Sequence, residues 1–227
     1  MPKLLYATFA TFLVLLASCS PSVGGGAPGP STGPVGEKGI ITTFVGPSAG
    51  LAGPIGIAFD KSGNLYIADS DNNRICEVSG GVITTIAGNG TAGYRSSDDG
   101  GPATSAELSW PNGIAFDKSG NLYIADTQNS RIREVSGGII TTFKALSDEP
   151  AGIAFDASGN LYFAGTGRIY EISGGIITTV AGGGTSGLGD GGPATSAELN
   201  RPEGVAFDAS GNLYIADTHN NLIRKVQ

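Results

Sequence analysis

The sequence is poor in the residues that build the commonest catalytic and metal sites. Its 227 residues include one His and two Cys. A zinc site usually takes several His or Cys ligands, and a Ser–His–Asp triad needs a well-placed His. The sequence also lacks a DxDxDG calcium loop and a Gly-rich phosphate loop between strand and helix. We therefore expect no catalytic residues, no metal and no cofactor.

Basic residues are also scarce. The chain has 13 Lys and Arg against 20 Asp and Glu, a formal net charge of −7. A nucleic-acid-binding protein needs a basic face that releases counterions from the phosphate backbone. Nucleic acid is therefore excluded as an expected partner.

The single long apolar run, from Leu4 to Ala17, is too short to span a membrane. It follows Lys3 and ends in small residues, which predicts a signal peptide over residues 1–18. Residues 16–19, LASC, resemble the lipobox of bacterial lipoproteins. That resemblance implies lipidation of Cys19 and a membrane anchor in the bacterial cell envelope; Ser20 after the Cys points to the outer membrane. The alternative is an ordinary signal peptide with an incidental Cys.

Residues 19–38 begin with Cys19 and continue almost entirely in Gly, Pro, Ser and other small residues. Such a composition cannot bury enough apolar surface to fold, which predicts a flexible tether. If Cys19 is lipidated, Cys76 is the only remaining thiol, and no intramolecular disulfide can form.

A repeat dominates residues 39–227, with copies that begin at Pro54, Pro111, Pro150 and Pro202. The copy at Pro111 predicts four strands, a to d, over 113–116, 122–125, 131–135 and 139–143, separated by turns rich in Gly, Asn and Ser. Strand b is apolar at consecutive positions, so both of its faces must be covered. Small sheets stacked around an axis provide that cover, which predicts a β-propeller.

The consensus P-x-G-[IV]-A-F-D-x-S-G-N-L-Y-[IF]-A-D-[TS]-x-N-x-R-I resembles the NHL repeat, and four copies of it occur in phase. The resemblance implies an all-β propeller. It does not imply one function, because the family includes protein-binding, RNA-binding, sensor and enzymatic members.

The two ends of the repeat array complement each other. The last copy stops at Gln227, before a strand d, and residues 39–44 (GIITTF) repeat residues 138–143. We therefore expect an all-β propeller of four four-stranded blades, with the last blade closed by the N-terminal strand. An open arc, or two chains that share one ring, are the alternatives.

The connections from strand d to the next strand a differ in length. Those at 89–110 and 183–201 are long, and we expect them to share a rim with the b-to-c turns and to frame a groove over the central channel. Both end in DGGPATSAEL, which predicts a turn and a short helix with Leu108 and Leu199 buried. A cation site built from Asp98, Asp99 and Asp190 is the alternative.

Each strand b except the third ends in an Asp: Asp69, Asp126 and Asp217. We expect these carboxylates to accept backbone N–H groups of their own turns, with Arg74 or Arg131 as partners. A ring of carboxylates that binds a ligand is the alternative. Gly165 in the third copy, where the other copies have Asp, argues against it.

Residues that depart from the repeat are the candidates for recognition. Trp110 stands where the last copy has Arg201, and Tyr94 and Arg95 have no counterparts in the second long connection; His219 lies at a loop tip. Aromatic residues and Arg are typical of binding hot spots and of surfaces that stack on sugars. The alternative for Trp110 is that it only packs under its own loop. We expect a non-catalytic binding or scaffold module for a protein, peptide or glycan. A calcium-dependent lactonase-like hydrolase or lyase, with carboxylates at the channel, is the alternative.

Overall fold

The computed structural model describes residues 42–185 and 187–227, in which the regular elements are β-strands and short 3₁₀ turns. The strands form four antiparallel sheets arranged as four blades of a β-propeller. Blade 1 comprises β1 (Pro54–Phe59), β2 (Leu65–Asp69), β3 (Arg74–Ser79) and β4 (Val82–Ala87). The all-β, four-blade prediction is confirmed.

The next two blades have the same order. A short strand, β5 (Gly101–Pro102), precedes blade 2, which comprises β6 (Pro111–Phe116), β7 (Leu122–Asp126), β8 (Arg131–Ser136) and β9 (Ile139–Ala145). Blade 3 comprises β10 (Ile153–Phe155), β11 (Leu161–Ala164), β12 (Arg168–Ser173) and β13 (Ile176–Gly182). Blade 4 has β14 (Pro202–Phe207), β15 (Leu213–Asp217) and β16 (Leu222–Val226).

Short 3₁₀ turns occupy the loops. They span Pro47–Ala49, Ser70–Asn72, Ser96–Asp98, Ala103–Ser105, Thr127–Asn129, Ala194–Ser196 and Thr218–Asn220. No helix in the described ranges is long and apolar enough to cross a membrane.

Packing between consecutive blades forms three apolar clusters. All five residues of β7 are buried, which confirms that strand b is covered on both faces. The glycines of strand a allow the blades to approach closely: a Cβ on Gly56 would overlap the Asn112 carbonyl, and a Cβ on Gly113 would overlap the Ala151 carbonyl. The three clusters join blade 1 to 2, blade 2 to 3 and blade 3 to 4.

The predicted closing strand of the fourth blade can be compared with the structure only at residues 42–44. Its sheet has three strands among the described residues. Residues 39–41 of the predicted closing strand lie outside the described residues, and Thr42, Thr43 and Phe44 belong to no strand. A Cβ on Gly204 would meet only the Ala216 side chain of its own blade. The physical reason is that no other blade of the described residues packs against strand a of blade 4.

Candidate functional site

One rim carries both the b-to-c turns and the ends of the d-to-a connections. The N–H of Asp71 donates to Ala52 O at 3.2 Å, and that of Gln128 donates to Ser109 O at 3.1 Å. In blade 4 the N–H of His219 donates to Asn200 O at 3.0 Å. The predicted sharing of one rim is therefore confirmed. We call this surface the loop rim; it comprises residues 50–53, 70–73, 109–110, 127–130, 200–201 and 218–221.

The first long connection does not overhang the channel. Its strand β5 pairs with β9, the outer strand of blade 2, with Gly101 opposite Ile140. The N–H of Gly88, at the end of blade 1, donates to Ala103 O at 2.9 Å. The groove expected over the channel was therefore wrong for this connection. The reason is that β9 would otherwise present unpaired backbone groups at a sheet edge, and the connection satisfies them.

The shared decapeptide has the predicted form in both long connections. Each copy contains a 3₁₀ turn, and Leu108 and Leu199 are buried in the clusters between blades. Asp99 pairs with Arg133 at 2.8 Å and Asp190 pairs with Arg224 at 2.7 Å. These two carboxylates of the alternative cation site are therefore neutralised by arginines. Among the described residues, no group of three or more His, Cys, Asp or Glu side chains lies close enough to hold a metal.

The carboxylates that end strand b tie each turn to the preceding connection. Oδ1 accepts the N–H of Ala52 (Asp69, 2.7 Å), Ser109 (Asp126, 2.7 Å) and Asn200 (Asp217, 2.8 Å). The expected role as a cap of the turn's own N–H groups is corrected, because these donors belong to the d-to-a connections. The role remains structural, since each buried acceptor is satisfied by the protein.

The arginine partners were only partly predicted. Arg74 pairs with Asp69 at 2.7 Å, as expected. Asp126 instead pairs with Arg133, at 3.4 Å, and not with Arg131. Burial raises the pKa of Asp126, although hydrogen bonds from Asn129 and Ser109 and the charge of Arg133 oppose that shift.

Tyr94 belongs to a cluster with the strand-c arginines of blade 2. The Arg131 guanidinium lies 3.7 Å from the centroid of the Tyr94 ring, a cation–π contact. The Tyr94 hydroxyl lies 3.3 Å from Asp99, which binds the fully buried Arg133. Sequence reasoning missed Arg133. The available signal was that Arg occupies this strand-c position in the two blades that follow a long connection, at 133 and 224.

Arg95 is exposed, and its guanidinium pairs with Glu107 at 2.6 Å. Asp148, in the short connection before blade 3, was also missed. It accepts hydrogen bonds from the Thr166 hydroxyl at 2.8 Å and the Tyr170 hydroxyl at 3.3 Å. Its carboxylate thus serves the turn that follows β11, where Gly165 occupies the position at which the other blades have Asp.

Trp110 and Arg201 have left-handed backbone conformations, with φ of 50° and 44°. Gly53 occupies the same place before blade 1, with φ of 54°. Residues with a Cβ are disfavoured in this region by about 1–2 kcal/mol. Trp110 nevertheless exposes 45% of its surface, and Arg201 is exposed.

The five candidate residues fall in separate places. The N–H of Trp110 donates to Asn73 Oδ1 in blade 1 at 3.0 Å, whereas that of Arg201 donates to Thr166 O in blade 3 at 3.1 Å. His219 is exposed on the loop rim beside Asn200. Trp110 therefore lies at the junction of blades 1 and 2, and Arg201 and His219 lie at the junction of blades 3 and 4.

Comparison with known proteins identifies the repeat. The NHL repeat matches residues 51–77, 108–134 and 199–226. Blade 3, which lacks the strand-b Asp and has a shortened turn, is not matched. These three stretches, in blades 1, 2 and 4 of the propeller, are therefore similar to the NHL repeat.

One curated relative of the chain is also named for NHL repeats. NHL repeat-containing protein 2 from Bos taurus is 38% identical over 93 residues, 39% of this chain. The alignments span only 8% to 12% of the length of the first curated relatives. What those longer proteins do is therefore not carried over to this chain.

Two solved structures share the fold. Virginiamycin B lyase from Staphylococcus aureus superposes with a TM-score of 0.54 and 24% identity, over 85% of this chain and 61% of that chain. A protein of unknown function from Bacteroides thetaiotaomicron gives a TM-score of 0.62 and 21% identity, over 79% and 48%. The fold is therefore found in at least one enzyme. At these identities the likeness concerns the fold alone.

Proposed function

We propose that this propeller is a non-catalytic binding or scaffold module, anchored in the bacterial envelope, that recognises a protein, peptide or glycan through the loop rim. The observation that carries the proposal is the exposed Trp110 in a left-handed conformation. Gly53 has the same conformation in blade 1 and needs no strain to adopt it. The fold therefore gains little from a Trp at this position, whereas a ligand would gain a rigid aromatic surface.

The chemistry of the two strained positions suits recognition. Trp and Arg are the residues most enriched among binding hot spots, and the face of an indole stacks on sugar rings and on apolar side chains. Trp110 keeps nearly half of its surface open to solvent, and Arg201 presents its guanidinium to solvent. Tyr94 and Arg95 support the connection through Arg131 and Glu107, and we assign them an ordering role beside the contact surface.

Envelope anchoring rests on residues 1–38, which lie outside the described residues. The apolar run and the LASC sequence support a lipid anchor at Cys19. The tether after it would hold the propeller near the membrane, where envelope proteins and glycans are concentrated.

A calcium-dependent hydrolase or lyase finds less support in the carboxylates. Asp126 and Asp217 are buried and each lies within 3.5 Å of an arginine, and Asp69 pairs with Arg74. A ring of carboxylates already paired with guanidinium groups is a poor ligand set for a hard cation, which needs six to eight oxygen ligands.

The proposal can be tested through Trp110 itself, since it is the only Trp. Arrays of envelope oligosaccharides and of peptides would identify ligands, and titration with intrinsic fluorescence would report binding directly at the loop rim. Because Trp110→Gly removes this fluorophore, its affinity is measured on the arrays; we expect binding of the identified ligand to weaken at least about tenfold, because a hot-spot aromatic is worth more than about 1.4 kcal/mol.

Ile176→Ala is the matched control, because Ile176 is an equally apolar, 68% exposed residue at the start of β13. It should leave affinity unchanged. A ligand that binds the Trp110→Gly variant as tightly as the unchanged chain would place recognition elsewhere. Turnover of an arrayed compound would contradict the non-catalytic assignment.

A further inference from the structure

The two ends of the row of blades expose surfaces that are buried at every internal junction. In strand a, Ile57 of blade 1 is 64% exposed, whereas its counterpart Ile114 in blade 2 is 6% exposed. Phe59, which begins the turn to strand b, is 63% exposed. Blade 1 therefore presents an interior blade face to solvent, beyond what an ordinary surface shows.

An edge-to-face aromatic pair recurs at each internal junction. A strand-b Tyr meets the strand-a Phe of the following blade, with ring centroids 4.8 to 4.9 Å apart. The pairs are Tyr66–Phe116, Tyr123–Phe155 and Tyr162–Phe207. By the same rule Tyr214 of blade 4 would meet Phe59 of blade 1. These two rings form no aromatic pair with each other in this structure.

A hydroxyl hydrogen bond follows the same pattern on the loop rim. Ser70 Oγ donates to Pro111 O at 2.5 Å, and Thr127 Oγ1 donates to Pro150 O at 2.7 Å, each across a junction. Thr218 occupies the same place in blade 4, and its hydroxyl donates only within its own blade, to Ala216 O at 3.3 Å. Its counterpart acceptor would be Pro54 O, the first residue of blade 1.

Among the described residues, blade 4 has no strand in the place that strand d takes in the other blades. In blade 2, β9 lies between β8 and the β5 segment of the long connection. In blade 4, the equivalents of those two flanks, β16 and Gly192–Pro193, line a cavity of about 640 Å³. Residues 39–44 have the same sequence, GIITTF, as residues 138–143, and residues 139–143 belong to β9.

We propose that two copies of this chain join head to tail, so that blade 1 of each copy packs against blade 4 of the other. Phe59 of one copy then packs on Tyr214 of the other, and Thr218 donates to the other copy's Pro54 O. A second copy thus covers the exposed face of blade 1 and supplies the missing partner of blade 4.

The complementarity of the two end surfaces, Phe59 with Tyr214 and Pro54 O with Thr218, supports a second copy as the occupant. Four blades at this packing angle leave blade 1 and blade 4 without a shared apolar cluster among the described residues. They superpose on 48% and 61% of two longer propeller chains. Two copies supply eight blades, within the usual range of four to eight, and two identical head-to-tail interfaces close the ring.

The test is the mass of the full chain in solution, measured by light scattering in mild detergent over a range of concentrations. We expect twice the mass of one chain. Phe59→Asp should place a charge in the junction and shift the mass to one chain, with a dimer Kd raised at least about tenfold. Ile176→Asp, at a similarly exposed site away from both end surfaces, should remain a dimer.

Subunit exchange gives a second readout that does not depend on the folding of a variant. Two differently tagged copies of the unchanged chain, refolded together, should co-purify. A single-chain mass at all concentrations would overturn the proposal and indicate that each chain closes on itself. A dimer that Phe59→Asp leaves intact would equally overturn it, since the contact would then lie elsewhere.

Discussion

Trp110 offers a direct test of the strain on which the proposed recognition surface rests. At an ordinary position, replacing a side chain with Gly leaves the protein less stable than replacing it with Ala, because Gly has more freedom in the unfolded chain. At φ of 50° the order should reverse. Trp110→Ala keeps the Cβ that disfavours this conformation, and Trp110→Gly removes it.

The size of the reversal follows from two opposed terms. Left-handed geometry costs a residue with a Cβ about 1–2 kcal/mol. The extra entropy of Gly in the unfolded chain offsets about 0.4–1 kcal/mol of that gain. Both variants lose the same indole contacts, so the midpoints of the two ranges make Trp110→Gly the more stable by about 0.8 kcal/mol.

Urea denaturation followed by circular dichroism measures the difference, because both variants lack the Trp and share one baseline. In a chain of this size the gap corresponds to about 1–4 °C in Tm. Ala and Gly variants of His219, which has no left-handed backbone in the structure, are the matched control and should show the ordinary order. An Ala variant at 110 as stable as the Gly variant would refute the claim that this position is strained.

Two further predictions concern the turns and the N-terminal segment. Burial raises the pKa of Asp117, but hydrogen bonds from Asn121, Ser119 and Gly120 outweigh it and bring the pKa below its ordinary value. The ionised Asp117 carboxylate therefore contributes to the free energy of unfolding above about pH 4. This contribution is lost as the pH falls through the folded-state pKa. In chemical denaturation at several pH values, Asp117→Asn should cost about 1 kcal/mol near neutral pH and little in acid; a cost independent of pH would contradict this sign. For the anchor, Cys19→Ser should move the protein from the membrane to the soluble fraction of fractionated cells, and unchanged fractionation would argue against lipidation.

Much of the fold could be predicted because its determinants are local and repeated. The strand-b run Leu122–Asp126 is apolar at consecutive positions, and the structure buries all five residues. Turns such as the one after Asp117 carry their own signals, since the carboxylate accepts N–H groups two and four residues on. Four copies in phase repeat these signals, so the blade and its strand order follow from the sequence.

The candidate site was harder to predict, because it depends on contacts between distant segments. Arg131 lies directly opposite Asp126 across the β7–β8 pair, yet Arg133 makes the ion pair while Arg131 covers the Tyr94 ring. The left-handed backbone at Trp110 also has no sequence signal, because Trp is among the least expected residues in that conformation. The left-handed conformation at Trp110 was recognised only in the structure, where Gly53 has the same conformation at the equivalent position of blade 1.

The sequence predicts the individual blades, whereas the tertiary structure decides whether the propeller closes. Residue patterns establish that each blade is built from short strands with interior faces. Whether blade 4 meets blade 1 depends on the angle between neighbouring blades, summed over three junctions. That angle arises from many small side-chain contacts and is encoded in no single residue, so the tertiary structure was needed to show Ile57 and Phe59 exposed at the open end.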